Sequence, residues 1–436
     1  MSTDLSTDTK ICVMGLGYIG LPTASMFATH GYQVLGVDIK RATVEAVNNG
    51  VAHIQEPGLK TLVEAAVKSG NLRASTTPQE ADVFIIAVPT PATPDKRADL
   101  GAVISATETI APYLRTGNLI VLESTVPPGT TTDVVVPLLE RSGLRAGQDL
   151  FVAHAPERVL PGRILVELVQ NDRVIGGIDS ASAECAVSLY RSFVAGRIFL
   201  THVTMAELVK LMENTYRDVN IALANELARI SDQLGTSIWD AIELANRHPR
   251  VNILQPGPGV GGHCIAIDPW FIVEKAPTEA HLISMARQVN DGMPAYVSRL
   301  ILDLIRSIPE PRVAVLGVTY KANVDDTRES PALIVAEMLS QAGCEVRLHD
   351  PYVYPQVTLD DVVIGTDCLA LLVNHWEYAD LDPASLALRM RNRRLFTAKN
   401  LVPYEPWLEA GFRVKRLGDG QIPATNAENT NYENLD

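Results

Sequence analysis

Lys10-Ile11-Cys12-Val13-Met14-Gly15-Leu16-Gly17-Tyr18-Ile19-Gly20 decides the fold. A short apolar run, three glycines spaced G-x-G-x-x-G and a following apolar helix pattern read as strand, tight turn and helix. The glycines permit the turn and let a pyrophosphate approach the helix N-terminus. Val34-Leu35-Gly36-Val37 is the next strand, and it ends on Asp38, a carboxylate placed to accept from a ribose 2′-OH. A 2′-phosphate would be repelled there, which favours NAD over NADP, although Lys40 and Arg41 pull the other way. Gly15, Gly17, Gly20 and Asp38 are the expected cofactor residues.

Working outward, residues 83–88 and 119–122 are further buried strands, with shorter signals at 151–154 and 173–175. Helical stretches at 41–48 and 101–113 alternate with them, so the expected class is α/β with a doubly wound parallel sheet. The texture then changes. Apolar positions recur at helical spacing from 204 to 234, a long helix stopped by Gly235, and helices follow at 238–245 and 280–290. This helical middle has the amphipathicity of a dimerisation core. After Pro309 and Pro311 the opening pattern returns at 312–317, 332–342 and 345–351, with only Gly317 left of the glycine set. That predicts a second Rossmann-like domain adapted to a different nucleotide. The expected division is 1–203 (NAD-binding Rossmann domain), 204–307 (central helical dimerisation domain with the cysteine loop), 308–418 (second Rossmann-like domain) and 419–436 (a polar, Asn-rich, disordered tail).

The 436 residues carry 37 basic and 51 acidic side chains, a formal net charge of −14. Nucleic acid and anionic membranes are poor partners for such a surface. No apolar run reaches the roughly 20 residues that span a bilayer, and the N-terminus lacks a signal-peptide pattern, so a cytoplasmic protein is expected. Five cysteines are scattered without metal-ligand spacing, and no metal is expected. Cys12, Cys185, Cys344 and Cys368 read as small buried hydrophobes. Cys264 is different. It lies in Gly257-Pro258-Gly259-Val260-Gly261-Gly262-His263-Cys264-Ile265-Ala266-Ile267-Asp268, among glycines and four residues before a carboxylate. A thiol so placed is offered to a substrate. Beside a hydride acceptor, it points to oxidation of an alcohol through a sulfur-bound aldehyde to an acid.

Val88-Pro89-Thr90-Pro91 and Glu123-Ser124-Thr125-Val126-Pro127 each follow a strand, where ligands of parallel sheets sit. Thr90 and Thr125 read equally as hydroxyls for the cofactor or as turn formers. Lys210, Asn214 and Arg217 fall at i, i+4 and i+7 on one helix face. That row is either a solvated stripe or a site, and flanking Leu208, Leu211 and Met212 weigh against the stripe. Arg247, His248 and Arg250 beside the glycines suit a diphosphate, or else cap the preceding helix. Tyr320-Lys321 occupy the phosphate turn of the second unit, where the lysine can replace missing glycines.

Together these motifs, with Ser124-Thr125-Val126-Pro127 and Pro156-Glu157-Arg158-Val159-Leu160-Pro161-Gly162, resemble the nucleotide-sugar (UDP-glucose/UDP-mannuronate) 6-dehydrogenase family from about Ile11 to Leu417. Gly261-Gly262-His263-Cys264-Ile265 is similar to its 2-acetamido-sugar branch. Asn246 to Leu254 and Asp268-Pro269-Trp270-Phe271 are similar to UDP-N-acetyl-D-mannosamine dehydrogenases in particular. The resemblance implies NAD contacts at Tyr18, Ile19, Asp38, Thr90, Thr125 and Arg328. It implies UDP-sugar contacts at Arg158, Val159, Lys210, Asn214, Arg217, His248, Arg250, Gly261, Tyr320 and Lys321, and a diphosphate charge at Lys399. The implied reaction is a four-electron oxidation at C6 with Cys264 as nucleophile. Lys210 and Asn214 serve the oxyanions, Lys210 and Asp268 position water, and Glu157 assists hydrolysis. A homodimer is expected. The chain departs from the pattern at Thr397, where an aspartate is usual. The alternatives are UDP-N-acetylglucosamine or UDP-glucose as substrate, a two-electron hydroxy-acid dehydrogenase, and a non-catalytic nucleotide sensor.

Overall fold

The structure is a computed structural model that describes residues 8–262 and 264–420. The chain forms two compact units. One takes the residues up to Asn214 together with Trp270–Ala280; the other takes Thr215–Pro269 and the residues from His281 onward.

The first unit is built on eight strands: β1 Lys10–Met14, β2 Gln33–Val37, β3 Leu72–Ser75, β4 Val83–Ile86, β5 Leu119–Leu122, β6 Phe151–His154, β7 Arg173–Gly177 and β8 Ile198–His202. Their order is β3-β2-β1-β4-β5-β6-β7-β8. The first six run parallel in the dinucleotide-binding order. β7 then pairs antiparallel with β6 and parallel with β8, so the sheet is not wholly parallel as expected. Alternation along a strand sets which side chains face inward; it carries no strand direction, and that is why the reversal was not foreseen.

Both faces are covered, as a parallel sheet requires. Ile11 and Val13 of β1 face one layer with Leu21, Ala24 and Phe27 of helix Gly20–Thr29. Cys12 and Met14 face the other with Val103 and Ile110 of helix Gly101–Ile110. The period of two thus decides the layers residue by residue.

The second unit's sheet has β9 Arg312–Leu316, β10 Glu345–His349, β11 Cys368–Leu371, β12 Arg394–Thr397 and β13 Arg413–Arg416, all parallel, in the order β10-β9-β11-β12-β13. Val313 and Val315 pack with Ile238, Trp239 and Ile242 of helix Ile238–Ala245 and with Val297 and Ile301 of helix Met293–Ile305. Ala314 and Leu316 pack on the opposite side with Tyr378 and Trp407.

A long helix, Val203–Leu234, begins in the first unit and ends in the second. In the second unit it carries a buried polar lattice. Arg287 pairs with Asp218 at 2.5 Å, both within 1% of full burial. Asn290 donates to Asp218 and accepts from Asn225, whose carbonyl takes the Gly257 N–H at 2.9 Å. Breaking such a buried pair costs about 3–5 kcal/mol because a charge is stranded, so the helix and the loop at Gly257 are tied firmly. Of the expected tail, Asp419 and Gly420 are held by hydrogen bonds from Arg416 N–H (2.9 Å) and to Asp232 (3.2 Å). Residues 421–436 lie outside the described residues.

Candidate active site

In the first unit, a Cβ at Gly15 would lie 2.6 Å from the Ala87 carbonyl oxygen, and one at Gly20 only 1.8 Å from the Gly15 carbonyl oxygen. One at Gly17 would meet nothing within 4 Å. Two glycines therefore fold the turn and one leaves it open, which fits a pyrophosphate approaching the backbone. Asp38 follows β2, half-buried, accepting from Leu16 N–H at 3.0 Å and Lys40 N–H at 2.8 Å. Tyr18 is partly exposed beside the turn and Ile19 half-buried. These residues fit NAD. Thr90 donates its hydroxyl to the Thr125 carbonyl at 2.6 Å, and Ser124 to the Val88 carbonyl at 2.7 Å. The two threonine loops are thus one structure.

Glu157 follows β6 and accepts from Val159 N–H. The residue is half-exposed, and its carboxyl is shifted. Burial pushes it up to about 7, while the Lys210 ammonium opposes that shift. A carboxyl poised there can give or take a proton at neutral pH. Lys210 and Asn214 are each 7% exposed on the long helix, so they do not belong to a solvated stripe; Arg217, in the second unit, is exposed. Arg158 is held by Glu213, at 2.5 Å, and by the Asp172 carbonyl at 2.7 Å.

In the second unit, Cys264 is exposed, whereas Cys12, Cys185, Cys344 and Cys368 are buried. Burial pushes the thiols of Cys12 and Cys368 up to about 12 and that of Cys185 to about 11, which makes them inert. Asp268 is buried one turn beyond Cys264 and donates its N–H to the Cys264 carbonyl at 2.8 Å. His263 lies outside the described residues.

The glycine loop packs against the second sheet's loops. A Cβ at Gly261 would sit 2.4 Å from the Glu329 carbonyl oxygen, and one at Gly262 2.8 Å from the Tyr320 ring. Gly262 donates to the Arg328 carbonyl at 3.0 Å, while the Arg328 guanidinium pairs with Asp326 at 2.6 Å. Lys399 reaches the Pro256 carbonyl at 3.1 Å, which only a small residue at 257 allows: a Cβ there would be 2.5 Å from the ammonium. Burial lowers the Lys399 ammonium to about 8, so an anion beside it would be welcome. Thr397, the departure from the usual aspartate, closes the same turn by donating to the Lys399 carbonyl at 2.6 Å and accepting Lys399 N–H at 3.3 Å.

Asp350 ends β10 as Asp38 ends β2, but its use differs. It is fully buried and accepts from Val318 N–H at 2.8 Å. His375 accepts Asn323 N–H on Nδ1 at 2.9 Å, so its proton sits on Nε2, 3.0 Å from Asp350 Oδ2. No oxygen is left for a ribose. The Asp350 carboxylate is therefore spent inside the fold, and half-buried Tyr320 and Lys321 lie on the loop after β9. His248 and Arg250 are exposed, and Arg247 is spent on Glu243 at 2.9 Å. Asn246 opens the run to Leu254 quoted above without a role of its own, yet it brackets this loop with hydrogen bonds to both N–H and C=O of Ile253. Its only signal was an amide at a helix end.

Domains of the UDP-glucose/GDP-mannose dehydrogenases match in series: the NAD binding domain over residues 9–194, the central domain over 204–292 and the UDP binding domain over 314–404. The UDP-N-acetyl-D-mannosamine dehydrogenase of Methanococcus maripaludis is 51% identical over 424 residues, covering 94% of this chain and 97% of its own. An NDP-N-acetyl-D-galactosaminuronic acid dehydrogenase of Ralstonia solanacearum is 47% identical, covering 90% and 97%. The solved UDP-D-ManNAc dehydrogenase from Pyrococcus horikoshii superposes with a TM-score of 0.90 at 44% identity, over 95% of this chain and all 100% of that one.

Proposed function

The chain belongs to the UDP-glucose/GDP-mannose dehydrogenase family, and from that premise we propose that it oxidises UDP-N-acetyl-D-mannosamine at C6 to UDP-N-acetyl-D-mannosaminuronate. The observation that carries the reading is the exposed Cys264 thiol, the one cysteine of five not buried, on a loop seated against Tyr320 and Lys399. One sugar and one water give the carboxylate, two NADH and three protons.

NAD⁺ supplies the hydride acceptor, once for each of the two oxidations. Lys210 and Asp268 place the water that takes the hydroxyl proton. The Cys264 thiolate adds to the aldehyde carbon, giving a thiohemiacetal whose oxidation leaves a thioester. Glu157 takes a proton from the water that cleaves it, returning the thiolate. Lys210 and Asn214 donate to the oxyanions, each worth about 3–4 kcal/mol in such a role. Arg158, Val159, Arg217, His248, Arg250, Gly261, Tyr320, Lys321 and Lys399 hold the UDP-sugar. Tyr18, Ile19, Asp38, Thr90, Thr125 and Arg328 hold NAD.

The substrate is tested by initial NADH formation on the UDP-activated forms of N-acetylmannosamine, N-acetylglucosamine, N-acetylgalactosamine and glucose. The first should exceed the others at least about tenfold in kcat/KM, as expected when a buried hydrogen bond to an epimeric group is lost. Equal or greater turnover of another sugar would reassign it.

Glu157 makes the reaction pH-dependent. Its carboxylate is the active form, and burial raises its pKa to about 7. Below that the base is protonated, so kcat should fall as pH drops from 8 to 5 and level off above. In Glu157→Gln the limb should vanish with a lower plateau. An unchanged limb in that variant would remove Glu157 from the step.

The long helix exposes Met205, Met212, Tyr216, Leu223, Ile230 and Leu234 at spacings of seven and four, a continuous apolar stripe. The stripe supports the homodimer that we propose. Sedimentation should give twice the chain mass, and Tyr216→Glu with Leu223→Glu should give monomer; a monomeric wild type would exclude it. No helix among the described residues is long and apolar enough to cross a membrane. Work in the cytoplasm is a separate part of the proposal, and cell fractionation should find the protein there.

A further inference from the structure

We infer that Glu207 is a positioning residue: its carboxylate clamps the loop after β5 to the helix face that carries Lys210 and Asn214. Glu207 is 1% exposed, on the long helix one turn before Lys210. Spacings of three and seven put Glu207, Lys210 and Asn214 on one face. Across from it, the chain leaves β5 through Ser124-Thr125-Val126-Pro127-Pro128-Gly129 and starts a helical turn at Thr131.

Glu207 satisfies the opening of that turn from a distance. Oε2 accepts from Gly129 N–H at 2.6 Å; Oε1 accepts from Thr131 N–H at 2.8 Å and from the Thr131 hydroxyl at 2.6 Å. N-terminal N–H groups need an acceptor, normally a local Ser, Thr, Asp or Asn. Here the residue just before the turn, Thr130, points its hydroxyl back to the Pro127 carbonyl at 2.6 Å, and no side-chain cap forms. The acceptor comes instead from 76 residues further along the chain. Three donors on one carboxylate make a charge-assisted contact about twice as strong per bond as a neutral one.

The clamp has two ends with consequences. The loop it grips also carries Thr125, whose carbonyl takes the Thr90 hydroxyl at 2.6 Å. The threonine loops at the C-terminal ends of β4 and β5 are thus joined through Glu207 to the turn of helix bearing Lys210. Without it, nicotinamide-side loops and the Lys210 ammonium would be free to shift against each other. A displacement near 1 Å in such a geometry costs about a hundredfold in rate.

The inference rests on the dehydrogenase reading for its effect on rate, and the test separates the two. Glu207→Ala and Glu207→Gln are compared with wild type by hydrogen exchange of the peptide spanning 126–133 and by kcat per folded molecule. Exchange should rise at least about tenfold in the alanine variant. Its kcat should fall about 10- to 100-fold, with KM for NAD and for the UDP-sugar within about threefold. The glutamine variant, which keeps one acceptor oxygen, should recover much of the loss. Unchanged exchange in Glu207→Ala would overturn the clamp. Raised exchange with kcat per folded molecule within twofold of wild type, or equal losses in both variants matching lost fold alone, would overturn the positioning role. A wild type inactive on every UDP-sugar would sink the dehydrogenase reading, and the rate effect with it, while the exchange arm still decides the clamp.

Discussion

Cys264→Ala should fold, bind both nucleotides and form no uronate, with acid production down by at least about a thousandfold. Losing a covalent nucleophile commonly costs that much or more. The fold should survive because the side chain is exposed and leaves no cavity behind. The first hydride transfer does not require sulfur, so the block falls on the second oxidation. Aldehyde should be detectable with a carbonyl trap, and NADH should stop at or below one per sugar. Steady uronate output from this variant would end the covalent account. The comparison with Cys368→Ala is instructive in the opposite direction: that thiol is fully buried with its pKa at about 12, and its loss should touch stability and leave the chemistry alone.

Lys210→Met should lower kcat by about a hundred- to a thousandfold, the usual cost of one lost donor to a developing oxyanion. Methionine fills the same nearly closed space without the charge. The variant should also report on Glu157. The Lys210 ammonium favours the carboxylate and so opposes the upward push of burial. Removing it raises the Glu157 pKa above about 7, and the falling acid limb of the residual rate must move to higher pH. A limb that stays in place, or moves down, would mean that the two groups do not act on each other during turnover. A kcat within threefold of wild type would take Lys210 out of the chemistry.

The parts of the molecule that were readable in the sequence are those set by local pattern. Ile11 and Val13 against Cys12 and Met14 announce a sheet covered on both faces, and the two layers follow that alternation. The helix from Val203 to Leu234 was legible from periodicity and from Gly235 after it. What was illegible depends on partners far away in the chain. The reversal at β7 is a matter of strand direction, which no side-chain pattern encodes. Glu207 beside Lys210 reads as an ordinary surface pair in sequence; its donors are Gly129 and Thr131. Asp350 matches the ribose-binding position of a dinucleotide fold, and only His375 and Val318 reveal that its oxygens are already taken. Thr397 looked like a broken motif, yet its hydroxyl closes the turn at Lys399. The candidate site was thus nameable by residue type, while its rigidity comes from contacts that only folding creates.

A single number tests the central claim most directly: the moles of NADH formed per mole of UDP-N-acetylmannosamine consumed to completion by the wild-type protein. Four-electron oxidation through a thioester on Cys264 predicts a value of two, with uronate as sole sugar product. A value of one, with aldehyde or ketone accumulating, would contradict it.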